Sequence, residues 1–273
     1  MLDKTGLNEE YEKLYKEGET VEEAFARLVE VISLLRKLCP WDSVQTHESL
    51  RRYMIEEAYE AVDAINRNDF DNLREELGDV MLQTVLHAEI AEEENRFNII
   101  DVMNEESNKM IRRHPHIFST ETAKTVDKVL EKWENVKVKE HGDITITQRL
   151  MDVPRALPAL TRSEKVQKRA ADVGFDWPNI DGALQKVDEE FKEFLEAHRA
   201  GDFKASEEEL GDLLFSAVNV ARFAGIDPEE ALSKAADKFV KRFAALEEKA
   251  TEEGRNLKEM SLAEMDDLWE RIK

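Results

Sequence analysis

The sequence predicts an all-α protein built from two copies of one helical unit. Apolar residues recur at helical spacing along nearly the whole chain, and no segment alternates convincingly between apolar and polar residues. Only 10 glycines and 6 prolines interrupt the 273 residues, fewer than an all-β protein with many tight turns needs. A segment of the first half also recurs in the second half. These observations favour helices over sheets and predict few or no strands.

Helix boundaries follow from capping signals and chain breakers. Thr20 and Glu23 form a capping box, which predicts a helix that ends at about Lys37. The segment Cys39-Pro40-Trp41-Asp42 then breaks the helical pattern. Further helices are predicted over residues 47–67, 71–94, 99–113, 121–140, 161–172, 181–199, 205–224, 228–252 and 261–272.

An internal repeat defines the organisation of the chain. Positions 56–79 align with positions 189–212 without a gap, and 11 of the 24 aligned positions are identical. We call this pairing, in which Glu56 corresponds to Glu189, the repeat alignment. Chance does not produce such a match, so the chain is predicted to be a tandem duplication. We predict a first helical repeat over 1–140, a linker over 141–160 that contains Gly and Pro, and a second repeat over 161–273.

Acidic residues are the chemically informative part of each repeat. The pattern E-E-x-x-E lies on one predicted helix and E-x-x-D on the next, so Glu57 and Glu60 share one helical face. Glu76 and Asp79 share a face of the next helix in the same way. A helical hairpin would bring the pairs together, and converging carboxylates repel one another unless a cation is present. Such hard oxygen ligands suit Mg²⁺ or Mn²⁺. The equivalent acids of the second repeat are Glu190, Glu193, Glu209 and Asp212.

A solvated helix face is the alternative explanation of E-E-x-x-E in a chain with 61 acidic residues. Two observations favour a metal site. Apolar runs follow Asp79 and Asp212, which predicts buried helices where an unpaired carboxylate would be costly. The second copy also keeps the acids while most residues between them change. Gly78 and Gly211 lie inside these helices and predict a close approach of another helix, with a local kink as the alternative.

Basic and aromatic residues provide weaker signals. The candidate cations are Lys238 and Arg242 in the second repeat and Lys109, Arg112 and Arg113 in the first. They could offset the charge of a polyphosphate, or they could be ordinary surface residues. Trp41, Trp177 and Trp269 could stack on a base, although a lone tryptophan more often belongs to a core.

The formal net charge of −22 argues against a binder of nucleic-acid polymers, because such a surface repels a phosphate backbone. A small phosphorylated ligand remains compatible, since a bound metal ion reverses the local charge. Cys39 is the only cysteine, and no apolar run is long enough to span a membrane. We therefore expect a cytoplasmic protein without membrane contact.

Taken together, several motifs resemble those of the MazG family of nucleoside triphosphate pyrophosphohydrolases, over essentially the whole chain. The matching segments are Cys39-Pro40-Trp41-Asp42, Thr46-His47-Glu48-Ser49-Leu50, Glu56-Glu57-Ala58-Tyr59-Glu60, Glu75-Glu76-Leu77-Gly78-Asp79, Arg113-His114-Pro115-His116, Val173-Gly174-Phe175-Asp176-Trp177 and residues 238–243. The resemblance implies an all-α fold whose four-helix bundle is completed across a homodimer. It also implies Mg²⁺-dependent cleavage of nucleoside triphosphates between the α- and β-phosphates.

The resemblance also implies roles for individual residues. The metal ligands are Glu190, Glu193, Glu209 and Asp212 in the second repeat and Glu57, Glu60, Glu76 and Asp79 in the first. The residues beside the nucleotide are Lys186 and Glu189, with Lys238 and Arg242 on the phosphates and Trp269 near the ligand. In the first repeat, Glu56 adjoins the acids and Lys109 and Arg113 are the basic pair. A carboxylate of the Glu189 or Glu190 type, or its counterpart Glu56 or Glu57, would orient or deprotonate the attacking water.

Two alternatives remain at this point. A narrower all-α pyrophosphohydrolase would act on a single nucleotide, such as a deoxynucleotide or phosphoribosyl-ATP. A non-catalytic helical dimer that senses nucleotide or binds a partner protein would retain the acids from an active ancestor. The eight acids kept in two copies argue against the second alternative.

Overall fold

A computed structural model describes residues 8–119 and 145–272, together with positions 125, 126, 128, 129, 133 and 136. The chain divides into two compact units, Met1–Glu140 and His141–Lys273. Every regular element of the described residues is helical, which confirms the all-α prediction. None of the helices in these ranges is both long and apolar enough to cross a membrane. The helix predicted over 121–140 falls almost entirely outside the described residues.

The first unit contains five described α-helices. They are α1 (Val21–Leu38), α2 (His47–Arg67), α3 (Phe70–Glu93), α4 (Ile99–Arg113) and the short α5 (Pro115–Phe118). Thr20 forms the predicted capping box with Glu23, since each side chain accepts a hydrogen bond from the other residue's backbone N–H. Short 3₁₀ helices, Glu9–Tyr15 and Asp42–Val44, precede α1 and α2.

The described part of the second unit contains six α-helices. They are α6 (Ile146–Met151), α7 (Ala159–Ala171), α8 (Ile180–Ala200), α9 (Phe203–Ala224), α10 (Pro228–Glu252) and α11 (Leu262–Arg271). A 3₁₀ helix, Leu257–Glu259, connects the last two. The stretch 141–160, which we predicted as a linker, contains α6 in its described part. The long predicted helices that the structure describes agree with the observed ones to within two residues at each end.

The repeat extends to the helix boundaries. The repeat alignment, continued without a gap toward the N-terminus, maps the C-terminus of α1 onto that of α7. It also maps both ends of α2 onto those of α8 and the first residue of α3 onto that of α9. The corresponding residues are Leu38 and Ala171, His47 and Ile180, Arg67 and Ala200, and Phe70 and Phe203. The two units therefore share one helical register through their first three long helices.

Each unit contains a tight helical hairpin. The residue after the first hairpin helix is left-handed in both units, Asn68 with φ 55° and Gly201 with φ 72°. The next residue, Asp69 or Asp202, closes the helix end through its backbone N–H and caps the following helix with its side chain. Because only two residues connect the helices, α2 lies antiparallel to α3 and α8 to α9.

The main core of the first unit lies between α1, α2 and α3. Its buried side chains are Ile32, Leu50, Val85, Leu86 and Ile90. The Arg36 guanidinium donates to Glu93 of α3, with Nη2 2.6 Å from Oε2, and to the backbone oxygens of Asp42 and Gln45. This buried arginine therefore links helix α3 to the turn that comes directly after α1. In the second unit, a core cluster of Leu246, Ala250 and Leu268 joins α10 to α11.

Two expectations about the acid-bearing helices are wrong for the described chain. The run after Asp212 is not uniformly buried, because Leu214 is 52% exposed and Phe215 is 42% exposed. No helix of the described chain approaches Gly78 or Gly211 closely, since a Cβ atom at either position would meet no described atom within 4 Å. Both helices are continuous through these glycines. An apolar sequence indicates a surface that avoids water, and part of this surface stays exposed among the residues that the structure describes.

The left-handed hairpin position supplies a test of the fold. Gly201→Ala should lower the free energy of unfolding by about 1–2 kcal/mol, because a Cβ atom is unfavourable at positive φ. Gly201→Asn is the matched control, since asparagine occupies the equivalent position 68 and tolerates this conformation. Urea unfolding followed by circular dichroism measures both variants. Equal stability of the alanine variant and the native protein would contradict the role assigned to this turn.

Candidate metal centres

The hairpin of the first unit gathers three carboxylates. Glu57 and Glu60 project from α2 and Glu76 from α3, and one oxygen of each lies within 4.8 Å of the other two. Glu76 is buried, and its Oε1 accepts a hydrogen bond of 2.6 Å from Asn72 Nδ2. The cluster therefore combines acids from both helices, as the pattern of the sequence requires.

Electrostatic repulsion is visible in this cluster. Loss of hydration and the charge of Asp79, followed by those of Glu60 and Glu76, raise the pKa of Glu57 above its ordinary value. The pKa of Glu60 is raised by loss of hydration and by Glu76. Asp79 contributes no oxygen to this group of three, but among the neighbouring carboxylates its charge raises the pKa of Glu57 most. Neighbouring negative charges that disfavour ionisation indicate a place where a cation would be stabilised.

The hairpin of the second unit forms two overlapping groups around one buried residue. Glu190 is only 4% exposed. One of its carboxylate oxygens lies within 4.8 Å of oxygens of Glu209 and Asp212 across the hairpin. Glu190 also forms such a group with Glu189 and Glu193 along α8. Loss of hydration, then the charges of Glu193 and Glu190, raise the pKa of Glu209. Glu190 is therefore the centre of this cluster, and Glu189 lies at its exposed edge.

A lysine distinguishes the second cluster from the first. Lys186 Nζ lies 2.7 Å from Glu189 Oε1 and 2.5 Å from Glu190 Oε1. These hydrogen bonds, the one to Glu189 first, raise the pKa of Lys186 above its ordinary value. The repeat alignment places Tyr53 at the corresponding position of the first unit, where it packs against the core. An ammonium group thus offsets part of the negative charge in the second cluster, and that position supplies none in the first.

The other predicted site residues lie outside these clusters. Lys109 forms an ion pair with Glu106 on its own helix α4, and Arg113 lies half-buried at the end of α4. Lys238 and Arg242 lie on α10, the first exposed and the second half-buried. Trp269 of α11 packs against Phe239, with 5.5 Å between the ring centroids. Their roles as nucleotide contacts stay predictions.

Sequence reasoning did not single out a polar network beside the second cluster. Arg222 of α9 pairs with Asp176, with Nη2 2.5 Å from Oδ1, and donates to the Asn219 side chain. Asp176 belongs to a segment that carried the family resemblance, but both of its network partners lie on a later helix, far along the sequence. Only the packing of the loop before α8 against α9 shows that these residues meet.

The chemistry of the clusters is that of a divalent-cation site. Carboxylate oxygens from two helices, crowded enough to raise the pKa of their neighbours, are the ligands that hard cations such as Mg²⁺ take in proteins. The donor set fits such an ion better than a softer one, because no described histidine or cysteine belongs to either group. The assignment of individual acids as ligands stays a prediction.

Fold and clusters together define a class of protein, an all-α protein in which duplicated helical hairpins each gather carboxylates. The family model described as the MazG nucleotide pyrophosphohydrolase domain matches residues 45–118 and 180–245, which contain both hairpins. The chain belongs to the MazG nucleotide pyrophosphohydrolase family and carries two copies of its domain. The resemblance drawn from the sequence motifs is thereby confirmed.

Named relatives are similar to this chain over most of its length. The chain is 42% identical over 258 residues to the nucleoside triphosphate pyrophosphohydrolase/pyrophosphatase MazG of Thermotoga maritima, a match covering 93% of this chain and 98% of that protein. It is 43% identical over 252 residues to a nucleoside triphosphate pyrophosphohydrolase of Escherichia coli K12, covering 90% of this chain and 96% of that protein. A crystal structure of a MazG-related protein from Thermotoga maritima covers 41% of this chain and 98% of that chain, with 27% identity and a TM-score of 0.38.

The repulsion around Glu57 can be tested without a ligand. Its pKa is higher in the folded protein than in the unfolded chain, so its charge destabilises the fold once the pH rises through that pKa. Without divalent cations, Glu57→Gln should therefore raise the free energy of unfolding at neutral pH. We expect a gain of less than about 1 kcal/mol, because interactions between partly exposed charges are of this size. The gain should shrink as the pH falls through the carboxylate range. Thermal unfolding between pH 4 and pH 8 measures it, and Glu92→Gln on the exposed face of α3 is the control. A loss of stability at neutral pH would contradict the raised pKa of Glu57, which loss of hydration and the neighbouring charges cause together.

Proposed function

We propose that this chain is a Mg²⁺-dependent hydrolase that converts ribo- and deoxyribonucleoside triphosphates to monophosphate and pyrophosphate, with broad base specificity. The observation that carries the proposal is the convergence of carboxylates in both hairpins that the family model matches. Two relatives similar to nearly the whole chain are named as nucleoside triphosphate pyrophosphohydrolases, which supports the same reaction. The bond that breaks is the anhydride between the α- and β-phosphates.

The proposed metal ligands are the four acids of each hairpin. They are Glu190, Glu193, Glu209 and Asp212 in the second unit and Glu57, Glu60, Glu76 and Asp79 in the first. Mg²⁺ fits such a set because it prefers oxygen ligands, keeps several waters and takes further ligands from substrate phosphates. When bound, the ion would neutralise phosphate charge and lower the pKa of a coordinated water, and Mn²⁺ could replace it.

Two adjacent glutamates of the second unit have separable roles in this proposal. Glu190 belongs to both carboxylate groups and is buried, so it is suited to hold the ion. Glu189 lies at the exposed edge, where it can accept a proton from an attacking water or orient that water for in-line displacement. Lys186 holds Glu189 in place and adds a positive charge beside the phosphates. Glu57 and Glu56 are the corresponding pair in the first unit.

Basic residues on other helices would neutralise the leaving group. Lys238 and Arg242 are one turn apart on α10, and they form no hydrogen bond or ion pair within the described part of the chain. They are therefore available to donate to pyrophosphate oxygens, which develop negative charge as the bond breaks. Trp269 packs against Phe239, the residue that follows Lys238 in the sequence. Lys109 and Arg113 would serve the first unit.

Homodimerisation is part of the proposal because apolar residues beside the acids are exposed in the described part of the chain. Exposed residues on the hairpin helices include Tyr59, Leu77, Met81, Leu184, Phe191, Leu210 and Leu214. Exposed apolar surface of this extent is typical of an interaction site. A second copy of each hairpin would cover it and complete a four-helix bundle, which is the arrangement that the family resemblance implies. The net charge of −22 supports small phosphorylated substrates over nucleic-acid polymers, and we propose the cytoplasm as the location.

The reaction is tested by product analysis with ATP, dTTP and dGTP, with and without Mg²⁺. We expect pyrophosphate and monophosphate from all three, and only with the metal. Glu193→Gln and Glu60→Gln, singly and combined, assign the turnover to the units. Mutation of a residue that only contacts a metal ligand typically lowers activity about 10- to 100-fold. Mutation of a metal ligand itself in the active unit should lower kcat/KM by more than this.

Several outcomes would contradict the proposal. Orthophosphate in place of pyrophosphate would exclude the reaction type, and activity on a single nucleotide would favour the narrower enzyme. Thermal stabilisation by Mg²⁺ and nucleotide without any turnover would favour a nucleotide sensor.

Dimerisation is tested at Leu214, which lies two residues beyond Asp212 and is 52% exposed in one chain. Leu214→Glu would place a charge in the proposed interface, where an unpaired carboxylate costs several kcal/mol. In size-exclusion chromatography with light scattering, we expect the native protein to be a dimer and the Leu214→Glu variant to be a monomer. Leu262→Glu, an even more exposed leucine at the start of α11, is the control and should leave the mass unchanged. A native monomer, or an unchanged mass for Leu214→Glu, would refute this interface.

A further inference from the structure

Asn72 connects the tip of the first hairpin to its carboxylate group. It lies in the first turn of α3, one turn before Glu76, so the two side chains share a helical face. Its Nδ2 donates to Glu76 Oε1 at 2.6 Å, and its Oδ1 accepts from Arg67 Nη2 at 2.6 Å. Arg67 is the last residue of α2. A chain of two hydrogen bonds therefore crosses the connection between the helices and ends on a buried acid.

The orientation of the Asn72 amide is determined by its two neighbours. A guanidinium group only donates hydrogen bonds and an ionised carboxylate only accepts them, so the amide turns its oxygen toward Arg67 and its nitrogen toward Glu76. An ion pair of 2.9 Å between Arg67 Nε and Asp63 Oδ2 holds the guanidinium in turn. The positive charge of Arg67 polarises the amide, which strengthens the hydrogen bond to Glu76.

This hydrogen bond fixes the rotation of the Glu76 carboxyl group without preventing it from binding a metal ion. An ionised carboxylate has about four acceptor positions on its two oxygens, and Asn72 uses one of them. Glu76 is 9% exposed, and one of its oxygens lies within 4.8 Å of oxygens of Glu57 and Glu60. Repulsion by these acids favours a rotation of Glu76 away from them, and the bond to Asn72 opposes it. Carboxylates that bind metal ions are commonly oriented by a further hydrogen bond of this kind.

The second unit does not have this chain of hydrogen bonds. The repeat alignment places Ala200 and Ala205 at the positions of Arg67 and Asn72, and an alanine side chain can neither donate nor accept. Glu209 corresponds to the buried acid of the first unit, and it is more exposed than that acid. Its side chain forms no hydrogen bond within the residues that the structure describes. The position of this carboxylate is therefore less restricted.

The two clusters also differ in charge. Lys186 Nζ lies 2.5 Å from Glu190 Oε1, where the ammonium group repels a divalent cation and competes with it for the same oxygen. The corresponding residue of the first unit is Tyr53, which carries no charge. Arg52 lies 3.8 Å from Glu56 beside the first cluster, but both side chains are exposed, so water and salt screen this pair. The amide that holds the buried acid of the first unit is neutral and leaves the charge of that cluster unchanged.

We propose that Asn72 is a positioning residue that prepares the first cluster to bind a divalent cation before any nucleotide is present. The second cluster, in which Lys186 occupies the buried acid, binds its cation weakly until nucleotide phosphates engage the lysine. The inference rests on the proposed function, because it takes the four acids of each hairpin as metal ligands. Asn72 does not contact the ion and acts only through Glu76. In the free protein, the first unit is therefore the one with the higher cation affinity.

Mn²⁺ titrations of the full-length protein without nucleotide test this difference, with free Mn²⁺ measured by electron paramagnetic resonance. Glu193→Gln leaves the first cluster intact and Glu60→Gln leaves the second, so each background reports on one unit. We expect the first cluster to bind Mn²⁺ about 10-fold or more tightly than the second. Asn72→Ala, which introduces the residue of the second unit, should weaken the first site by about 10- to 100-fold. Asn104→Ala, at an exposed residue of α4, is the control and should leave the affinity unchanged.

Reciprocal variants of the second unit, made in the Glu60→Gln background, test for a gain of affinity. Lys186→Gln removes the ammonium group and should raise the Mn²⁺ affinity by about 10-fold. Ala200→Arg combined with Ala205→Asn introduces the chain of hydrogen bonds and should also raise the affinity. If Asn72→Ala fails to fold, this double variant decides whether the chain of hydrogen bonds acts on cation binding.

Thermal unfolding separates a positioning role from a merely structural one. A change that only weakens the fold lowers Tm equally with and without Mn²⁺, whereas loss of positioning also reduces the increase in Tm that Mn²⁺ produces. Unchanged Mn²⁺ affinity in folded Asn72→Ala would overturn the inference, and so would equal affinities of the two native clusters or no binding to either one.

The proposed function is judged separately, by pyrophosphate release with nucleotide and Mg²⁺. Turnover by a protein whose clusters do not differ in Mn²⁺ affinity would refute only the inference about Asn72. The expected difference in Mn²⁺ affinity without turnover of any nucleotide would support the positioning role and refute the hydrolase.

Discussion

Repulsion between carboxylates held together by a helical hairpin is the constraint on which the structure of both sites depends. Oxygens of three acids lie within 4.8 Å of one another in each group. Loss of hydration, followed by the charges of neighbouring acids, raises the pKa of Glu57 and of Glu209. A flexible loop would let such charges separate. The two-residue connections at Asn68 and Gly201 prevent this, because they fix the phase of one helix relative to the next. Stability is thus given up locally, which is consistent with the proposed role of these acids in holding a cation.

The helical architecture was predictable because its determinants are local. Capping boxes such as Thr20 with Glu23 involve residues three positions apart, and helical periodicity needs only one or two turns of sequence. The repeat was predictable because comparing a chain with itself needs no structure. Together they gave the helix ends to within two residues and brought acids such as Glu57 and Glu76 into one hairpin.

Features that depend on packing between distant segments were not predictable in the same way. The apolar sequence after Asp212 shows that this surface avoids water, but it does not show whether the residues that bury it belong to the same chain. The close approach expected at Gly78 and Gly211 is likewise not made by the described chain itself. A cavity around Trp177 escaped notice because its walls come from α7, α9 and the loop before α8, and no spacing rule connects them.

The short connection at the tip of each hairpin also limits how these sequences can change in length. One residue inserted after Arg67 or Ala200 and absorbed by the following helix would turn every later side chain of that helix through about 100°. Glu76 or Glu209 would then face away from its partners, although every acid would still be present. The two copies therefore preserve the distance between these acids along the chain although only 11 of the 24 aligned residues are identical, and insertions belong in the segments outside the hairpins.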